Sequence, residues 1–229
     1  MTRPTIHFCS ATCLFALAAC SSVPQTAPVA VLVEIDRPAE ASDQILKAGF
    51  EASLPTYRQI DGLERKYFVH SDAVFGGLYL WENRAAADAF FDSSWQDRIV
   101  TTYGQSASLT FFDAPVETAG GSPSSAGDDG SVAIVKVGAP WYAPRGTIVS
   151  RMAASVPKYA VIQGLDYKIY SIAGGKRVGG IYLWDDADAA AEFYDDAWHA
   201  RIRDTYGKDA ELSVYSAPVV LVNREANDS

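Results

Sequence analysis

The chain has 229 residues, 48% hydrophobic and 12% aromatic, with 19 Lys and Arg against 28 Asp and Glu for a formal charge of -9. That length buries one large core or two small ones. The acidic balance excludes an electrostatic footprint for nucleic acid, and docking onto acidic lipid by charge alone, so no nucleic-acid partner is expected.

Chain order begins with a short polar region holding Arg3 and an apolar run from Phe8 to Ala16, too short to span a bilayer. It reads as a secretory signal. Leu17-Ala18-Ala19-Cys20 looks like a bacterial lipobox, which implies removal of residues 1–19 and acylation of Cys20. Cys9 and Cys13 lie in the removed piece, so the mature chain keeps no thiol for disulfides, metals or nucleophilic catalysis. Acyl chains stabilise attachment by about 0.8 kcal/mol per buried methylene, so the expected partner is a membrane, reached through lipid. Ser21 after the cysteine resembles an outer-membrane address facing the periplasm. Residues 20–29 then form a tether of small residues and proline.

The rest of the chain is written twice. At an offset of 103, residues 76–116 and 179–219 share 20 identities in 41 positions, including Gly76-Gly77-Leu78-Tyr79-Leu80-Trp81 against Gly179-Gly180-Ile181-Tyr182-Leu183-Trp184. Upstream the offset is 102, pairing Tyr57 with Tyr159 and Gly62-Leu63 with Gly164-Leu165. Residues 117–130, rich in Gly, Ser and Asp, form the linker between domains 30–116 and 131–219, and 220–229 are a tail.

Each copy opens with an apolar strand (Val29 to Ile35; Ser131 to Val137) and a helix (about Ser42 to Leu54; Arg145 to Val156) ended by Pro55 or Pro157. A strand (Leu63 to His70; Leu165 to Ile172) and the glycine-led strand follow, alternating Leu or Ile with Tyr and Trp. Asn83 and Asp186 are N-cap residues for one further helix, stopped by Gly104 or Gly207, with the stripe Ala87, Phe91, Trp95, Ile99 repeated as Ala190, Tyr194, Trp198, Ile202. A last strand (Ser108 to Asp113; Glu211 to Ser216) closes the unit. The order β-α-β-β-α-β predicts an α+β, ferredoxin-like fold with both helices on one sheet face. The other face also carries apolar residues, so the two copies are expected to pack sheet to sheet as an internal pseudo-dimer.

The glycine-led Tyr-Leu-Trp strand, the Ala and aromatic helix and the closing Ala-Pro resemble the YdhR-like family, whose members are named as monooxygenases. They belong to the dimeric α/β-barrel superfamily that includes the antibiotic-biosynthesis monooxygenases. The resemblance implies a ferredoxin-like fold paired into a barrel, a pocket between sheet and helices, and cofactor-free oxygenation of an electron-rich substrate anion. Such chemistry needs a proton acceptor and a dry aromatic cavity.

Candidate walls of that cavity are Tyr79, Trp81, Trp95, Tyr182, Trp184 and Trp198, although core packing at about 1.5 to 3 kcal/mol per buried aromatic also explains them. His199, with Asp195 one turn earlier to orient it, is a candidate base; a solvated helix surface is the competing reading. Its counterpart in the first copy is Gln96. His70, at a strand end, reads as exposed. Arg98 and Arg201, matched between copies, fit either a clamp on a ligand carboxylate or salt bridges to Asp97 and Asp204. Tyr103 and Tyr206 read as caps on a packed edge. Two separated histidines and no mature thiol exclude a zinc or haem cluster. Gly174-Gly175-Lys176 is a hairpin tip rather than a phosphate loop, and no Ser-His-Asp triad is present. The chain thus reads as an envelope lipoprotein binding a small aromatic or lipophilic molecule, with cofactor-free monooxygenation implied by the resemblance; the alternative is a non-catalytic interaction or scaffold module.

Overall fold

A computed structural model describes residues 26–122, 130–138, 142–174 and 177–224. Cys20 and the signal region, residues 123–129 of the Gly-Ser-Asp linker, and Gly175 and Lys176 of the hairpin lie outside the described residues.

The first copy runs β1 (Val29–Asp36), α1 (Asp43–Tyr57), β2 (Leu63–His70), β3 (Val74–Trp81), α2 (Arg84–Phe90), α3 (Ser93–Tyr103) and β4 (Ser108–Ala119). The second repeats it as β5 (Ser131–Gly138), α4 (Arg145–Tyr159), β6 (Leu165–Ala173), β7 (Arg177–Trp184), α5 (Ala187–Phe193), α6 (Asp196–Tyr206) and β8 (Glu211–Val222). The eight strands form one closed antiparallel barrel in the order β1-β3-β2-β8-β5-β7-β6-β4. Each copy supplies four neighbours, so the tandem ferredoxin-like arrangement and its intrachain pairing are present. Among the described residues no helix is long and apolar enough to cross a membrane.

Strand alternation sorts side chains into three cores. Ala30, Leu32, Leu78, Leu80, Phe112, Ile134, Ile181 and Leu183 fill the barrel interior. Val31, Val33, Tyr79 and Trp81 face outward beneath the first copy's helices, and Ala133, Val135, Tyr182 and Trp184 do so in the second.

The closing strands run further than the sequence suggests. β4 pairs with β1 from Ser108 to Asp113, then shifts register and pairs with β6 of the other copy from Val116 to Ala119. β8 likewise leaves β5 at Ser216 and joins β2 through Val219 to Val222. Residues 117–119, expected in the linker, are therefore strand. Ala114-Pro115 and Ala217-Pro218 mark the crossing points, where a residue lacking an N–H fits a locally interrupted ladder. The halves exchange strands as well as facing one another.

Helix ends also differ. α1 and α4 continue through Pro55 and Pro157 to Tyr57 and Tyr159. Each proline removes one bond in the final turn, and the terminal tyrosine packs against the sheet beneath. The helix expected from Asn83 to Gly104 is two. Asp92 accepts from Trp95 N at 2.8 Å and caps α3, and Asp195 does the same for α6 from Trp198 N at 2.7 Å. A short acidic side chain that can satisfy free helix N–H groups favours starting a new helix over continuing the old one.

Candidate functional site

The Gly-Gly pairs position the site. A Cβ on Gly76 would lie 2.1 Å from Val33 O, and one on Gly179 1.8 Å from Val135 O, so each first glycine lets its strand approach its neighbour. The second glycines make room for a side chain: a Cβ on Gly77 would meet Lys66 Cε at 3.0 Å, and one on Gly180 would meet Lys168 Cε at 3.1 Å. These two lysines, equivalent at the offset of 102, are 2% exposed.

Each lysine enters a box of aromatic rings. Lys66 Nζ lies 3.0 Å from the centroid of Tyr57, 3.8 Å from Phe68 and 4.5 Å from Tyr79. Lys168 Nζ lies 3.0 Å from Tyr159, 4.0 Å from Tyr170 and 4.4 Å from Tyr182. Two effects compete there. Ring faces favour an ammonium by about 0.5 to 2 kcal/mol, whereas desolvation of a buried amine shifts its pKa by up to roughly 3–5 units, or several kcal/mol. Desolvation wins. Burial pushes Lys66 well below the usual lysine range and Lys168 down to about 6, the latter with a smaller contribution from Lys158. Neither amine has an ion-pair partner among the described residues, and Lys168, at about 6, is neutral near pH 7 and keeps a free lone pair.

Both boxes open into cavities between sheet and helices. The first, ≈ 310 Å³, lies beneath α1 and α3 and is walled by Phe50, Tyr57, Tyr79 and Trp95 around Lys66. The second, ≈ 490 Å³, lies beneath α4 and α6 and is walled by Met152, Tyr159, Tyr182 and Trp198 around Lys168. In the first, the Tyr79 hydroxyl donates to Tyr57 at 3.4 Å; in the second, the Tyr170 and Ser155 hydroxyls share a hydrogen bond at 2.7 Å. Burial raises Tyr170 to about 12, with Ser155 opposing, so this hydroxyl stays protonated.

The aromatic residues singled out from sequence divide cleanly. Tyr79 and Trp95 line the first cavity, Tyr182 and Trp198 the second. Trp81 and Trp184 line neither; they stack against Tyr79 and Tyr182 at 6.2 and 6.4 Å under the helices, their Nε1 atoms buried without a partner. Arg98 and Arg201 are exposed and outside both cavities. Arg98 donates to Ser94 Oγ at 3.1 Å, and no ion pair joins either arginine to Asp97 or Asp204 among the described residues. His199 is half-buried, its ring edge-on to Trp198 at 4.9 Å and outside the second cavity. Asp195 spends its carboxylate on the helix cap, so the structure does not assemble it with His199 into a base. Tyr103 and Tyr206 stand at the cavity margins, 43% and 41% exposed. His70 is buried, not exposed, with Nδ1 3.6 Å from Asp43 Oδ1, and desolvation lowers its pKa. Among the described residues no cluster of three metal-ligating side chains exists.

The missed residues are the lysines. Their signal was a cation kept at matched positions in two apolar strands, on the face shared with Phe68 and Tyr170.

No family model matches the chain, and no curated protein matches it in sequence. Solved structures do match in shape. A "putative monooxygenase" from Fusobacterium nucleatum superposes with a TM-score of 0.62 at 9% identity, covering 86% of this chain and 95% of that one. A second of that description, from Lactobacillus acidophilus, gives 0.55 at 15% identity over 86% and 97%. An anthrone oxidase-like protein gives 0.54 at 11% identity over 88% and 95%. The fold is that of monooxygenase-like ferredoxin-fold proteins. At these identities the likeness is one of fold, and the chemistry must come from this chain's own cavities.

Proposed function

We propose that this chain is a cell-envelope lipoprotein, anchored through Cys20 on the periplasmic side of the outer membrane, that binds small aromatic molecules and oxygenates them without a cofactor in its second cavity. The observation that carries the reading is Lys168, a neutral amine at the floor of an aromatic box. An amine of pKa about 6 is free base at neutral pH, close to the optimum for a general base.

A phenolic or enolic arene entering the cavity gives a proton to Lys168 Nζ, and the ring gains electron density enough to react with dioxygen. For an activated methylene the balance closes without an outside reductant: the carbon loses two hydrogens and becomes a ketone, one oxygen atom stays, and the other leaves as water. Tyr159, Tyr182 and Trp198 hold the ring and exclude bulk water. Neighbours named as monooxygenase and anthrone oxidase-like support this class of substrate.

The test is oxygen uptake by the purified chain with hydroxylated polycyclic arenes that carry an activated methylene. Wild type is expected to consume oxygen with one product ketone per dioxygen, and Lys168→Met to lose the activity. Uptake equal to the enzyme-free rate with every phenol, together with no bound ligand by native mass spectrometry, would overturn it. The anchor is tested separately: palmitate label follows wild type and is absent from Cys20→Ala.

A further inference from the structure

The second cavity carries a cation that the first does not. Arg151 lines it from α4, at the position where α1 has Gly49. Its guanidinium has no hydrogen bond or ion pair with any described residue, and no Asp or Glu among the described residues lines the cavity, in a chain whose formal charge is -9. An unpaired guanidinium beside an apolar hollow is a receptor for a planar anion, since its fork of N–H donors matches a carboxylate.

Its place on the helix adds a length. Arg151, Ser155 and Tyr159 recur every four residues along α4 and all line the cavity, so they form one wall. Tyr159 covers Lys168, and Ser155 holds the Tyr170 hydroxyl midway. At 1.5 Å per residue, Arg151 and Tyr159 are separated by about 12 Å along the axis. The first cavity keeps Ser53 and Tyr57 on the matching face but has Gly49 and Phe68 in place of Arg151 and Tyr170. Its lining therefore has no counterpart to the Arg151 guanidinium, which stands at the exposed rim of the second.

We propose that the second cavity selects an elongated aromatic acid, its carboxylate held at the rim by Arg151 and its phenolic end placed at Lys168, while the first takes neutral aromatic molecules. This rests on the binding reading above and names the substrate class of the same site. Arg151 is the residue that sets the preference, and Gly49 its natural counter-case.

Calorimetric titration of the full chain with 4-hydroxycinnamate and with its methyl ester tests the assignment. Wild type is expected to bind the acid about fivefold to tenfold tighter than the ester, the value of a partly exposed charged hydrogen bond. Arg151→Gly is expected to bind both alike, and Arg151→Lys to recover part of the preference. Gly49→Arg is expected to raise the number of acid sites from one to two; a Cβ at Gly49 meets nothing within 4 Å, so the backbone position accepts a side chain. Equal binding of acid and ester by wild type, or a preference that survives Arg151→Gly, overturns the inference while leaving the cavity reading intact. No binding of either compound overturns both.

Discussion

The two cavities are one design carried out twice with different walls. Both keep a buried lysine under a helix-terminal tyrosine, a strand tyrosine and a helix tryptophan: Lys66 with Tyr57, Tyr79 and Trp95, and Lys168 with Tyr159, Tyr182 and Trp198. What changes is the outer wall. Gly49, Phe50, Phe68 and Phe75 of the first become Arg151, Met152, Tyr170 and Val178 of the second, and the volume grows from ≈ 310 to ≈ 490 Å³. The constant part is the amine in its aromatic box, and the variable part determines what the amine meets. Duplication within one chain lets the two diverge while the barrel that joins them stays closed.

The largest effect that could break this comparison comes from removing the amines one at a time. Lys168→Met is expected to lower oxygen uptake by about 100-fold or more, the scale of a lost general base. Lys66→Met should leave uptake at the second site within about twofold, read as kcat with the same phenol. Equal losses from both would show that the cavities act as one site and erase the distinction drawn here.

Stability should move in the opposite direction. Lys168 has a folded pKa of about 6, far below its ordinary value of 10.5, so the unfolded chain binds the extra proton between those limits. The fold therefore gains stability as pH rises through that window and carries the full burial cost below pH 6. Lys168→Met removes the cost: Tm at pH 7 should rise by on the order of 5 °C, with the gain shrinking toward pH 10.5. A Tm difference that does not change with pH would contradict the neutral amine.

A smaller effect separates the walls. Tyr170→Phe copies the first cavity's Phe68 and leaves Ser155 without its 2.7 Å partner, costing about 1 kcal/mol, or roughly 2–4 °C in Tm. The reverse change, Phe68→Tyr, should not raise Tm unless it finds Ser53. The smallest effect is expected at His199. It lies outside the cavity against Trp198, so His199→Ala should leave oxygen uptake unchanged and stability within about 1 kcal/mol.

Much of the architecture was legible because it is local. Alternation in Leu78 to Trp81, caps at Asn83 and Asp186, and glycines at 104 and 207 each declare an element through neighbouring residues. The matched copies then made the pairing of halves a physical necessity, since each exposed a second apolar sheet face. What stayed hidden depends on distant partners. Residues 117–119 look like linker because the strand they join, β6, lies in the other copy. Asp92 and Asp195 look like mid-helix residues until the chain turns and their carboxylates cap the next helix.

The site followed the same division. Tyr79, Trp95, Tyr182 and Trp198 were visible as an aromatic stripe, but so were Trp81 and Trp184, and periodicity does not separate the layer beneath a cavity from its lining. Lys66 and Lys168 were overlooked because lysine in a strand suggests a solvated edge. Each shares its strand face with an aromatic residue two positions on, and across the sheet the second glycine of each pair leaves space for the lysine stem. The Gly-Gly motif that anchored the fold was thus also a sign of the buried amine.

The most direct test is the titration of Lys168 itself. Carbon NMR of the labelled lysine Cε, assigned by its absence in Lys168→Arg, should show a midpoint near pH 6 in the folded chain. A midpoint near the ordinary lysine value of 10.5 would mean that the amine stays charged among its rings, and the chain would have no base at the floor of its second cavity.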